Sequence, residues 1–309
     1  MPGERQLSIW TALGLWATGV AVGAVYGAWH GYTGRAYAVT LFVLALFLAI
    51  QLSFAAGNLG KRLARRVGSH GGVLIGVVPF LAYLIYLAGT NSFTWGRVAL
   101  AAAYALAPVL LAIFLPLKMR FLHALWPYGG ATISYVAAML LAMSVALATF
   151  LFVRQFDGVG YNIVWGRTAM FAVLVHFILL AAIVIPLGTV LHFIRFDPTQ
   201  AHWKTLPSDA ISIFLLTAWP EELLFRGLLQ NSLSRTISSE TGGWFTASVI
   251  FGLAHVNNNG VFPNWRYAIL ATIAGIFYGH TWRKTNSIFT SAIVHALIDT
   301  IWHLMFRTL

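Results

Sequence analysis

The chain contains no cysteine. Disulfides are excluded, and so is any metal centre built on thiolates. Acidic side chains are scarce: eight Asp and Glu stand against 19 Lys and Arg in 309 residues. Charged residues of both signs make up only 9% of the chain, where an ordinary soluble domain carries about 25%. A water-facing surface cannot be built from so few. Strand-type alternation is also missing, which excludes a transmembrane barrel and leaves helices. There is no internal repeat and no low-complexity tract.

What is present is apolar. Hydrophobic residues make up 59% of the chain, in long runs. A helix that spans a bilayer needs roughly 20 such residues. Runs at 8–29, 37–56, 71–89, 98–116, 133–153, 169–190, 209–230, 243–256, 267–282 and 287–306 meet or approach that length. The expected fold is all-α, a polytopic transmembrane bundle of about 8–10 spans. The first run is longer than the apolar part of a cleaved signal peptide and has no small-residue cleavage site after it. The protein is therefore expected to be an integral, multi-pass membrane protein, in the cell (inner) membrane if the source is bacterial. Net charge is +11. In such a chain this is a topology signal rather than a nucleic-acid footprint. The cluster Lys61, Arg62, Arg65 and Arg66 marks a cytoplasmic loop, and with it a cytoplasmic N-terminus.

The few acidic residues are unevenly placed. Residues 1–194 have none inside an apolar run, whereas Glu221, Glu222 and Asp299 all lie at membrane depth. A polar, Pro-interrupted stretch at 195–208 separates the two regions. The expected division is a scaffold of helices at 1–200 and a functional core at 201–309.

A charged side chain at the bilayer centre costs roughly 2.5–3.5 kcal/mol on insertion scales, so such residues are functional candidates by default. Three motifs stand on three apolar runs: Glu221-Glu222-x-x-x-Arg226, Phe251-x-x-x-His255 and His295-x-x-x-Asp299. Residues four apart share a helix face. Glu222 can therefore pair with Arg226, His255 lies beside Phe251, and His295 beside Asp299. Glu221, five residues before Arg226, has no local partner and stays available. Pro220 removes the N–H that would bond to the carbonyl of Leu216, so a kink is expected just before the carboxylates. A carboxylate among imidazoles can hold a water and take its proton. A histidine N–H can then stabilise an oxyanion. Hydrolysis of an amide is the natural reaction class.

These residues resemble the CPBP family of intramembrane proteases, also called Abi or CAAX-protease-like. Its signature is EExxxR, FxxxH and a histidine followed four residues on by asparagine or a similar polar residue, each on a separate membrane helix. The resemblance covers roughly residues 208–309. It implies an intramembrane endopeptidase acting on a membrane-associated or lipidated peptide or protein, with the lipid bilayer as the other partner. It implies that Glu221 activates the water, His295 assists, His255 stabilises the oxyanion, and Glu222 and Arg226 hold the geometry. The departure is Asp299, which stands where the family has asparagine. An ionised aspartate cannot donate to an oxyanion, so Asp299 is expected to orient His295. No cofactor is expected. The alternative is one divalent metal such as zinc on Glu221, His255 and His295, although HExxH is absent. The competing functions are a non-catalytic membrane immunity or assembly factor and a proton-coupled transporter. The transporter would carry intramembrane polar groups in both halves, and here they lie in one.

Overall fold

The computed structural model describes residues 9–31, 34–55, 81–98, 143, 146–147, 150–151, 156–201, 203–258 and 261–309. The expected span at 98–116, most of those at 71–89 and 133–153, and the Lys61–Arg66 cluster lie outside the described residues. The chain divides into two compact units, and passes from the first to the second between Asp157 and Gly158.

In the first unit, α1 (Ile9–His30) and α2 (Arg35–Ala55) occupy the first two expected spans. They pack antiparallel at very close range because glycine faces the partner helix. The Tyr37 hydroxyl donates to the Gly23 carbonyl at 2.6 Å. A Cβ added at Gly27 would meet the Tyr37 ring at 2.3 Å. Without a lipid-versus-lipid hydrophobic drive, this kind of backbone approach is what holds membrane helices together.

The second unit is a helix bundle with a small sheet at one end. It comprises α3 (Arg167–Val190), β1 (Ile194–Phe196), a composite helix α4, then α5 (Glu240–Leu253), α6 (Trp265–Thr285), α7 (Ile288–Met305) and β2 (Phe306–Thr308). Helices α3 and α7 are long and apolar enough to cross a bilayer. The strands pair antiparallel, with Arg195 opposite Arg307. At the other end, residues 159–162 lie on the α6–α7 turn: Ile288 N–H donates to the Gly160 carbonyl at 2.8 Å, and the Ser287 hydroxyl to the Asn162 carbonyl at 2.9 Å. The helix ends therefore alternate between two sides, and α3 runs parallel to α7.

Local sequence accounts for the boundaries. Ser239 caps α5, its hydroxyl accepting from Gly242 N–H at 3.0 Å. Asn264 caps α6 through Tyr267 N–H at 3.1 Å. Asn286 ends α6 in the left-handed region, at φ 49°. The core between the helices is Val173, Leu180, Phe225, Phe251, Ala274, Tyr278 and Val294. On the outside, Phe171, Val190 and Phe245 are exposed, as suits lipid contact.

Helix α4 differs from a regular helix. It runs as α over Leu206–Ile213, π over Phe214–Ala218, α over Trp219–Glu222, π over Leu223–Gln230 and α over Asn231–Thr236. The kink expected at Pro220 takes the form of a wide turn before it, in which Trp219 N–H bonds to the carbonyl five residues back, at Phe214. A second wide stretch follows the carboxylates, and Asn231 N–H bonds to the Arg226 carbonyl. π-turns inside helices collect at functional sites.

Candidate active site

Glu222 is wholly buried and its two oxygens receive three donors. His295 Nδ1 lies 2.9 Å from Oε1. The Ser291 hydroxyl reaches Oε2 at 2.5 Å, and Arg226 Nε reaches the same oxygen at 3.1 Å. A carboxylate taken out of water needs this many charge-assisted bonds to remain there. The i,i+4 pairing of Glu222 with Arg226 survives inside the π stretch.

Arg226 is held on its other faces too. Nη2 donates to the Gly275 carbonyl at 3.3 Å. The guanidinium carbon sits 4.3 Å from the centre of the Phe251 ring and 5.3 Å from that of Tyr278, a cation–π arrangement. One turn on, Gln230 Nε2 donates to the Gly279 carbonyl at 3.3 Å. Glycine gives room at both acceptors: a Cβ at 279 would stand 2.5 Å from Gln230 Oε1, and one at 275 would crowd the Ser248 backbone at 3.2 Å.

His295 lies flat against Tyr278, with ring centres 4.5 Å apart and planes 13° apart. Its second nitrogen, Nε2, is 3.4 Å from Asp299 Oδ2. Both ring nitrogens thus face carboxylates, and each must carry a proton to bond there. Asp299 sits where the spacing puts it, one turn from His295 and partly open to the site's exterior.

His255 lies just past the end of α5, in a turn rather than on the helix. The spacing still works, because the turn keeps near-helical geometry. His255 Nδ1 is 2.7 Å from the Phe251 carbonyl, and the two rings are 4.7 Å apart. A carbonyl only accepts, so Nδ1 carries the proton and Nε2 is the nitrogen left for chemistry. The Phe251 ring also lies 5.9 Å from that of His295, which brings the two histidines to one aromatic side chain. Glu221 itself is half-buried. Its Oε2 is shielded from solvent and has no hydrogen-bond partner among the described residues.

No group of three His, Asp or Glu among the described residues is arranged to hold a metal ion. The trio Glu221, His255 and His295 fits one poorly. Both nitrogens of His295 and one of His255 are already engaged, so a metal would have to displace a carboxylate.

Ser291 and Tyr278 complete the site and were not singled out from sequence. Ser291 could have been found: with His295 and Asp299 it forms a polar stripe at intervals of four on a mostly apolar helix.

The same C-terminal third is what known proteins share with this chain. Residues 203–301 match the profile of the family described as type II CAAX prenyl endopeptidase Rce1-like. That stretch resembles the Rce1-like family. All six residues singled out from sequence, Glu221 to Asp299, fall inside it, and the Rce1-like family is a membrane-embedded helical one. The uncharacterized protein YpbD of Bacillus subtilis is 30% identical over 97 residues, which is 31% of this chain and 45% of that protein. The chain thus spans less than half the length of that relative. No solved structure matches it.

The Asp299 geometry has a testable consequence. Asp299→Ala removes the partner of His295 Nε2 and is expected to lower cleavage about 10- to 100-fold, within the cost of losing a partner that orients a site histidine. Asp299→Asn keeps an acceptor oxygen and is expected to retain part of the activity. Steady-state rates in membranes at matched expression check this. Equal loss in both would mean that the charge itself is required.

Proposed function

We propose that this chain is an intramembrane endopeptidase, in which Glu221 activates a water for attack on a peptide bond. One observation carries the reading. Of two adjacent carboxylates, Glu222 is saturated by three donors while Glu221 keeps a buried oxygen with no partner among the described residues. A structural pair has no use for that asymmetry, whereas a base needs it.

On this reading the water gives a proton to Glu221 as its oxygen adds to the scissile carbonyl carbon. The carbonyl oxygen becomes the oxyanion. His255, held through Nδ1 by the Phe251 carbonyl, stands beside it with Nε2 free and stabilises it when that nitrogen carries a proton. Collapse breaks the C–N bond, and the leaving nitrogen takes the proton held by Glu221. The products are a carboxylic acid terminus, which ionises, and an amine, which takes up a proton. His295 bridges Glu222 and Asp299 and is a positioning residue. It meets the water only on its Asp299 side, where its contact is longest. Tyr278 and Phe251 wall the site and keep solvent from Arg226 and His295.

The substrate class is a membrane-associated or lipidated peptide, which reaches the site from the bilayer. The catalytic core is residues 201–309, and the chain is multi-pass in the cell membrane. No metal takes part.

The test is cleavage by purified protein. Uncut precursors are identified by comparing the membrane proteomes of wild-type and Glu221→Ala strains, then offered to the protein in detergent or nanodiscs. Cleavage that persists after exhaustive chelation, with no stoichiometric metal by elemental analysis, is the expected result. No precursor difference and no cleavage would favour a binding protein. One zinc per chain whose removal stops cleavage would overturn the metal-free mechanism.

A further inference from the structure

Away from the carboxylates, at the opposite end of α3 from the β1–β2 sheet, the second unit contains a cavity of about 560 Å³. Its wall is mostly apolar and comes largely from α3: Ala169, Phe171, Ala172 and Val175, with Thr168 and His176 beside them. Its rim carries two cations, Arg167 from the start of α3 and Lys284 from the end of α6. Both are exposed, and neither forms an ion pair among the described residues. The volume lies within the usual range of ligand sites, about 300–1,000 Å³.

Depth in the membrane says what such a cavity meets. Arg167 is the first residue of a helix long and apolar enough to span. Lys284 is one residue from the end of α6. Trp165 beside them is 74% exposed, and exposed tryptophan at a helix end marks the headgroup layer. The rim therefore lies where phosphates are, and the wall lies where acyl chains begin. Basic pockets between membrane helices at this depth suit anionic headgroups.

We propose that this cavity is a binding site for an anionic phospholipid, with its phosphate between Arg167 and Lys284 and an acyl chain along Phe171 and Val175. The two cations come from helices that are far apart in sequence. A lipid bound there ties the start of α3 to the α6–α7 corner and holds the bundle at one end, as the β1–β2 sheet does at the other. None of these residues belongs to the catalytic set, so the inference stands apart from the protease reading.

The full chain is purified in detergent and offered dioleoyl phosphatidylglycerol or dioleoyl phosphatidylcholine, and the retained lipid is counted by native mass spectrometry. Wild type is expected to retain phosphatidylglycerol and to release phosphatidylcholine. Arg167→Gln/Lys284→Gln should weaken phosphatidylglycerol retention about 10- to 30-fold, from two lost cation–headgroup contacts. Arg195→Gln/Arg307→Gln removes the same charge from the sheet at the opposite end and should retain the lipid. Ala172→Trp fills the wall and should lose the lipid with both cations in place. Equal retention of the two lipids, equal loss in both charge variants, or full displacement by inorganic phosphate would each overturn the proposal.

Discussion

Glu221→Gln is expected to reduce cleavage by about 100- to 10,000-fold, the usual worth of a positioned general base, with little change in folding. The substitution is nearly isosteric, and the oxygen it alters has no hydrogen-bond partner among the described residues. No bond is lost in the folded protein, so the thermal midpoint should stay close to wild type. Glu222→Gln should behave differently. It weakens bonds to Arg226, Ser291 and His295 together and should lower both activity and stability. Rates on an identified precursor, beside melting curves in the same detergent, separate the two glutamates. A Glu221→Gln protein with full activity would remove the base from the mechanism.

Arg226→Ala is expected to cost about 3–5 kcal/mol of stability, as when one partner of a buried ion pair is removed, and to abolish most activity. The loss is larger than one ion pair suggests. Arg226 also donates to the Gly275 carbonyl and lies over the Phe251 ring, so it fixes α4 against α5 and α6 at once. Arg226→Lys keeps the charge but lacks the planar fork that serves Glu222 and Gly275 together, and should recover only part of the loss. A double-mutant cycle with Glu222→Gln and Arg226→Met provides the check. The double variant should be less destabilised than the sum of the singles, because no charge is left stranded. Strict additivity would show that the pair is not coupled.

Much of this was legible from residues alone, and the reason is local. Apolar runs of spanning length set the helices, and α3, α6 and α7 begin and end within three residues of where hydropathy puts them. The spacing of four between Glu222 and Arg226, and between His295 and Asp299, required only helical geometry to become contacts. His255 shows how far the rule stretches, since its place beside Phe251 held although α5 had already ended.

The sequence by itself determined a predominantly helical membrane protein, with its intramembrane polar motifs in the last third and on three separate apolar runs. Those features follow from composition and from periodicity within single helices. Spacing had already paired Glu222 with Arg226, and tertiary structure added the other two donors to Glu222. It placed Ser291 on Glu222 and Tyr278 against His295, and drew Arg226 onto the backbone of Gly275. It also chose the π turns around Pro220, and set Arg167 beside Lys284 at one cavity. Such choices join residues tens of positions apart. They depend on how closely helices approach, and that distance is set by side-chain volumes on both partners at once, a quantity that no single run of residues carries.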